Sequence, residues 1–428
     1  MRILFMLNGL THYFNLLTSK INEQPGIEIF YVYPKEISAA MGEGVLHTKE
    51  GVNFKLVELE EKVDKSNGSL YYKGLSSVLE EMKPDVIMVA ETNIRSLMYD
   101  EQLKKTIKKQ DIKVILKSIP FRLKQYKEEI EYARKEISKL PMPLFNSLPV
   151  FVGNFLKLLK IDKLYKKAFL DKKALKQFIE KLDERKKIFN YADAHVNYVE
   201  EAYDIYGSYG VPKEKIFVTF NSPDTDTYFA VKEKIKKLPP ILAPNPYRII
   251  HLSRLVKWKR VDMLVQAVAN IRHTYPGMEL LVVGDGPEKE SLKEMTRELK
   301  VEHAVNFLGG VYDAEMFGRY IMCSSIYVLA GMGGLSINDA MIFGLPVICS
   351  VCDGTEKYLV KEGYNGLFFR EGNQKDLEDK ISYLFDNPQQ SAEMGQHSVH
   401  IIEEKININT VVDRYVKAFK AVAEQKIA

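Results

Sequence analysis

Short apolar runs alternate with helical patterns along most of this 428-residue chain, and no other feature of the sequence constrains the fold as strongly. In the first half the runs are Ile3–Leu7, Ile27–Val32, Val86–Ala90 and Val114–Lys117. In the second half they are Arg248–Leu252, Glu279–Val283, Ile326–Leu329 and Pro346–Ser350. The stretches between them have helical spacing. In Val261–Ile271, for example, Leu264, Val265, Val268 and Ile271 share one face. Strands joined through helices predict an α/β fold whose parallel sheets are covered on both faces. The alternation occurs twice, on either side of the proline-containing stretch Leu238–Tyr247 (LPPILAPNPY), which reads as a linker. The expected division is an N-terminal domain over 1–237 and a C-terminal domain over 238–404. A last helix near 405–425 is placed to pack back on the first domain.

Hydrophobic residues make up 46% of the chain, enough for cores of this size. No run approaches the length of a membrane-spanning helix. The opening MRILFMLNGL is too short in its apolar part for a signal peptide and reads as a buried first strand, so a cytoplasmic protein is expected. The three cysteines are Cys323, Cys349 and Cys352. An odd number argues against a disulfide framework, and the Cys349–Cys352 spacing lacks a second pair for zinc, so ordinary buried thiols are expected.

The net charge of +4 hides a strong local imbalance. Residues 121–187 contain 18 lysines and arginines against nine acids, a net +9. Phe151, Phe155, Leu156, Leu158, Leu159, Tyr165 and Phe169 are spread among these lysines. Two readings follow. An amphipathic helix of this kind docks on an anionic membrane surface, or its apolar face packs on the N-terminal domain and its lysines are solvated. Nucleic-acid binding is not expected, because no recognition motif accompanies the charge.

Three segments carry chemistry. In IIHLSRLVKWK, Arg254 and Lys259 follow a strand, and ligands of parallel sheets bind at the carboxyl ends of strands. Two neighbouring cations can neutralise a diphosphate without a metal, unless they merely form a solvated basic loop. In LLVVGDGPE, Gly284 and Gly286 permit a tight turn and a close approach to backbone. In YVLAGMGGLSINDAMIFGLPVICS, a strand runs into Gly331, Gly333 and Gly334 and then a short helix over Ile337–Phe343. The amides at that helix start suit a phosphate. Asp339 can accept vicinal ribose hydroxyls there, or simply complement the helix dipole.

The order SRLVKWK, LLVVGDGPEKESL, VNFLGGV, GGLSINDAMIFGLPVI and GYNGLFF resembles the family 4 glycosyltransferases over Ile249–Phe369. A weaker likeness covers Ala192–Tyr228, which ends in Asn221-Ser222-Pro223-Asp224, and the MRILFML start. The resemblance implies a GT-B fold, two Rossmann-like domains with parallel sheets facing across a cleft. It implies transfer, with retention, from a nucleoside diphosphate sugar to a glycan or polyprenyl-linked acceptor in surface polysaccharide biosynthesis. The donor is then a substrate, and no cofactor is expected.

On this resemblance Arg254 and Lys259 fall on the basic pair that holds the donor diphosphate and are the expected catalytic residues. Gly333, Gly334, Leu335 and Ser336 fall on the donor loop, and Asp339 on a glutamate that binds ribose. Gly9 and His12 belong to a reduced N-terminal glycine loop, Asn8-Gly9-Leu10-Thr11-His12. Asp224-Thr225-Asp226 looks like a metal motif, but it lies at the family's chain crossover, and no metal is expected. Two departures stand out. Gly331 replaces the usual first glutamate, which contacts the donor sugar. Lys117-Ser118-Ile119-Pro120 stands where a cleft histidine is common. These losses motivate an alternative, a non-catalytic nucleotide-sugar-binding subunit. With the basic segment docked, the protein would lie on the inner face of the membrane.

Overall fold

The computed structural model describes residues 1–7, 9–36, 48–64, 69–120, 123–138, 172–352 and 354–424. The centre of the basic segment, 139–171, therefore lies outside the described residues, as does Asn8.

The strands of the first half are β1 (Arg2–Met6), β2 (Glu28–Pro34), β3 (Lys55–Leu59), β4 (Glu61–Val63), β5 (Leu70–Tyr72), β6 (Val86–Ala90), β7 (Lys113–Lys117), β8 (Ala194–Asn197) and β9 (Ile216–Val218). Seven of them form a parallel sheet in the order β3-β2-β1-β6-β7-β8-β9, while β4 and β5 pair with each other as an antiparallel hairpin. The second half contributes β10 (Arg248–Leu252), β11 (Glu279–Val283), β12 (Val305–Gly309), β13 (Ile326–Leu329), β14 (Val347–Cys349) and β15 (Gly366–Phe368). They form a parallel sheet in the order β12-β11-β10-β13-β14-β15. Both central strands, β6 and β10, are buried along their whole length, as a sheet with helices on both faces requires.

Strand order reverses direction beside β1 in the first sheet and beside β10 in the second. Such switch points leave a crevice at the carboxyl ends of the two diverging strands. In the second sheet that crevice is bounded by the segments after β10 and β13, which carry Arg254 and the Gly331–Asp339 stretch.

The final helix, Ile408–Glu424, buries Val411, Val412, Tyr415, Ala418, Phe419 and Val422 at helical spacing. This stripe packs on the first sheet: the Phe419 ring is 6.0 Å from Phe5, and Tyr415 is 6.5 Å from Phe14. The chain leaves the first sheet after β9 through Thr219–Asp224, where Phe220 takes a left-handed backbone (φ 58°). The following helix, Thr225–Ile235, packs in the second half, with Tyr228 5.8 Å from Phe317 and 6.0 Å from Phe343. The outgoing and returning crossings are tied together, since the Ile408 amide donates to Thr225 Oγ1 at 3.0 Å. No described helix is long and apolar enough to cross a membrane.

Several strands were not expected from sequence, among them β3, β8, β9, β12, β15 and the hairpin. In β8 the polar side chains hide a buried strand. His195 Nε2 donates to the Phe189 carbonyl (2.8 Å), and Asn197 Oδ1 accepts from the Val199 amide (3.0 Å). Burial holds the His195 imidazole down to a pKa of about 4, so it is a neutral core residue.

Candidate active site

The site begins with two interlocked turns. After β10 the chain runs through Ser253–Val256 into a short 3-10 turn, Lys257–Lys259, and then the helix Val261–Ile271. The Leu255 amide donates to the Asp285 carbonyl at 2.8 Å, and the Glu288 amide donates to Leu255 at 3.0 Å. Gly284 packs so closely that a Cβ there would stand 1.8 Å from the Ser253 carbonyl oxygen, and its φ is 141°. Only glycine fits, which explains the glycine turn expected from LLVVGDGPE. This contact fixes the loop that presents Arg254. Arg254 Nη1 is buried and has no hydrogen-bond partner among the described residues. Leaving such a donor unpaired costs about 1–3 kcal/mol, more for a charged group, so the position favours an incoming acceptor.

His251, which the sequence reading passed over, sets the next detail. Its Nδ1 lies 2.9 Å from the Val328 carbonyl and its Nε2 2.7 Å from Ser253 Oγ, which itself donates to the Arg254 carbonyl at 2.9 Å. Burial lowers its pKa to about 4, so a neutral ring ties β10 to β13 and holds the Ser253–Arg254 peptide. The only sequence signal was a polar residue inside an otherwise apolar strand.

Lys259 is nearly buried (8% exposed), and its Nζ donates to the carbonyls of Met332 and Gly333, each at 2.7 Å. The Met332 amide returns a bond to the Trp258 carbonyl at 3.1 Å. Lys259 is thus the tether of the glycine loop as well as a cation beside it. A Cβ on Gly334 would lie 3.4 Å from its ammonium. Gly331 is closer still: a Cβ there would stand 2.1 Å from the Trp258 carbonyl oxygen. No side chain fits at this position, where the loop docks on the 3-10 turn.

The helix after the loop spans Ser336–Ile342, one residue earlier than expected, with Leu335 at its N-cap and no side chain capping it. Ser336 Oγ lies 2.8 Å from the Tyr327 hydroxyl. Asp339 sits in the first turn. The residue is half-buried as a whole, but its Oδ1 is enclosed and unpartnered among the described residues. Desolvation raises its pKa to about 8. The structure thus places Arg254 and Lys259 after β10 and Gly333, Gly334, Leu335, Ser336 and Asp339 after β13, the strands that flank the switch point, and Lys259 ties the two segments together.

The remaining expected residues lie at the carboxyl edge of the first sheet. Gly9 follows β1 with φ 125°, and its carbonyl accepts from the Tyr31 hydroxyl at 2.9 Å. His12 is an exposed residue at the start of the helix His12–Asn22. Lys117, in the stretch that lacks the cleft histidine, donates to the Tyr198 hydroxyl. Its ammonium lies 4.7 Å from the Phe14 ring centre and 4.6 Å from that of Tyr198.

Asp224 and Asp226 are engaged elsewhere. Asp224 caps the helix Thr225–Ile235 through the Thr227 amide (3.2 Å) and hydroxyl (2.7 Å). Asp226 pairs with Lys20 at 2.9 Å and accepts from Asn409 at 3.1 Å. Among the described residues no three His, Cys, Asp or Glu side chains are grouped to hold a metal. Of the thiols expected to be buried, Cys349 is; Cys323, which caps the C-terminus of the helix Ala314–Met322, and Cys352, in the loop after β14, are half-buried.

Comparison with known proteins bears on the family and the fold. Residues 233–399 match the family described as glycosyl transferases group 1. An uncharacterised glycosyltransferase of Haemophilus influenzae is 28% identical over 170 residues, 39% of this chain and 47% of that protein. The alpha-monoglucosyldiacylglycerol synthase of Acholeplasma laidlawii is 29% identical over 143 residues, 33% of this chain and 35% of that protein. The aligned part of the chain thus spans less than half the length of these relatives. The Anabaena protein HepE, solved in complex with UDP, superposes with a TM-score of 0.65 at 15% identity, covering 98% of this chain and 100% of that one. The family match thus covers residues 233–399, and the chain as a whole has the two-sheet α/β architecture of the GT-B fold.

Proposed function

We propose that the protein is a retaining glycosyltransferase that moves a sugar from a nucleoside diphosphate donor to a glycan or lipid-linked acceptor without a metal. The observation that carries this reading is a pair of orphaned polar atoms, Arg254 Nη1 and Asp339 Oδ1, at the two strand ends that flank the switch point. An N–H donor suits a phosphate oxygen, and a carboxylate oxygen suits a ribose hydroxyl. As the bond to the anomeric carbon breaks, negative charge grows on the leaving diphosphate. Fixed cations at Arg254 and Lys259 stabilise that charge more in the transition state than in the ground state. Lys259 contributes from a rigid position, because two carbonyls already hold its ammonium. The acceptor is expected to attack from the leaving-group face, and no side chain is assigned as nucleophile or base.

The UDP in the HepE complex makes a uridine donor the first to try. The +9 charge of residues 121–187 supports attachment to an anionic membrane surface, and with it a role in surface polysaccharide assembly. Liposome co-sedimentation with and without anionic lipid checks the attachment. The central experiment is a thermal-shift screen against UDP-, GDP- and dTDP-sugars, followed by NMR of the anomeric configuration of the product. A donor that stabilises the protein and yields a product of retained configuration supports the proposal. Binding without hydrolysis or transfer would identify the alternative suggested by Gly331 and Lys117, a nucleotide-sugar-binding subunit.

A further inference from the structure

The β4–β5 hairpin belongs to neither large sheet, yet it is pinned to the carboxyl edge of the first one. The Leu70 amide donates to the Thr92 carbonyl (3.1 Å), just past β6, and the Tyr72 hydroxyl reaches the Leu7 carbonyl (3.5 Å), just past β1. Leu70 and Tyr72 point inward, so the alternation of the strand turns Tyr71 outward. Facing the hairpin is the helix Ile94–Tyr99. Between them lies a cavity of about 490 Å³ lined by Asp64, Tyr71, Arg95, Ser96, Tyr99 and Asp100, among others.

Its two aromatic walls are open. Tyr71 is 39% exposed and Tyr99 53%, and a ring that only packed the core would not be. Tyr99 is held in place by its hydroxyl, which donates to Glu184 Oε1 at 2.5 Å. Arg95 approaches the same carboxylate at 3.9 Å. Asp100 is held by the amides of Gln102 and Leu103, at 2.9 and 3.0 Å. The cavity thus combines two exposed ring faces, that of Tyr99 held through its hydroxyl, with two carboxylates and a guanidinium. The carboxylates disfavour a phosphate or an acidic group. A pyranose fits this chemistry: its C–H face is apolar enough to lie on tyrosine, and its hydroxyls both donate to carboxylates and accept from guanidinium. The volume falls within the range of about 300–1,000 Å³ typical of small-ligand sites.

We propose that the cavity between the β4–β5 hairpin and the helix Ile94–Tyr99 binds a pyranose unit of a glycan acceptor. Its naming as an acceptor site rests on the glycosyltransferase reading; its binding of a sugar does not. Saturation-transfer difference NMR tests it, with methyl α-glucopyranoside, methyl α-galactopyranoside, methyl α-mannopyranoside and N-acetylglucosamine as probes. Saturation should reach the ring protons of at least one probe in the wild-type protein. Tyr71→Ala should weaken that binding by about fivefold or more, and Tyr71→Phe, which keeps the ring, should retain it. Tyr71 is outside the donor crevice, so the donor-induced thermal shift should be the same in Tyr71→Ala. No signal from any probe, or a signal equal in wild type and Tyr71→Ala, overturns the proposal. A ring-dependent glycoside signal in a protein that binds no nucleotide sugar would overturn the glycosyltransferase reading and leave the sugar site standing.

Discussion

Gly331 and Lys259 are packed backbone to backbone: a Cβ added to Gly331 would stand 2.9 Å from Lys259 Cα and 2.1 Å from the neighbouring Trp258 carbonyl oxygen. The lysine that tethers the glycine loop and the glycine that lets the loop approach are parts of one arrangement. Restoring a glutamate at position 331 is therefore expected to harm the protein. Gly331→Glu forces the loop off the 3-10 turn and costs about 1–3 kcal/mol, the usual range for overpacking. Chemical denaturation measures the stability, and turnover should fall with it. A Gly331→Glu variant as stable as wild type and more active would show that the loop adapts freely.

The two cations should separate in their effects. Arg254→Ala removes an unpartnered group, so the fold should survive while transfer slows by more than about tenfold, as loss of a charge-assisted contact implies. Lys259→Ala should slow transfer at least as much and also lower stability, because the buried Gly333 carbonyl and the part-buried Met332 carbonyl lose their donor. Kinetics and denaturation midpoints on both variants check this. Equal midpoints would argue against the tethering role, and wild-type turnover in either would remove that residue from the reaction.

Much of this crevice was visible in the sequence because glycines and strand ends mark it. Arg248–Leu252, Glu279–Val283 and Ile326–Leu329 are apolar runs with sharp boundaries, and the structure forms β10, β11 and β13 over those same residues. What was not visible depends on tertiary partners. His251 looks like an interruption until β13 supplies the Val328 carbonyl. That Gly331 cannot carry a side chain depends on a backbone 73 positions away in sequence, at Trp258. The edge strand β3 is half polar, because only one neighbour covers it, so its pattern never reached that of a buried strand.

On the proposed role of Asp339, stability and donor binding are expected to depend on pH in opposite ways. Its folded pKa of about 8 lies above the 3.8 of an ordinary aspartate, so between these values the folded state holds a proton that the unfolded state has released. Stability from this group is full in acid, declines as pH rises from about 4 toward 8, and levels off above that. Asp339→Asn should flatten this part of the profile relative to wild type. The difference between the two proteins removes the contributions of His195 and His251, which are common to both. Ribose hydroxyls favour the ionised carboxylate, so donor affinity should rise over the same interval. Melting temperatures across it, with and without donor, provide the measurement. Parallel profiles for wild type and Asp339→Asn would show that this carboxyl is ionised and solvated.

The last helix should prove essential to the first domain although it follows the second in sequence. Phe419 is fully buried and packs on Phe5 of β1, so Phe419→Ala should cost about 3–5 kcal/mol, the range for emptying a core aromatic site. Lys420 is an exposed residue of the same helix, and Lys420→Ala should change stability by less than about 0.5 kcal/mol. The effect should be local as well as large. In hydrogen exchange, Phe419→Ala should loosen β1, whose Phe5 loses its partner, while β10 and β11 keep their protection. Loosening confined to the second sheet would show that the helix stabilises the second half of the chain instead, and an unchanged denaturation midpoint would show that the stripe from Val411 to Val422 contributes little.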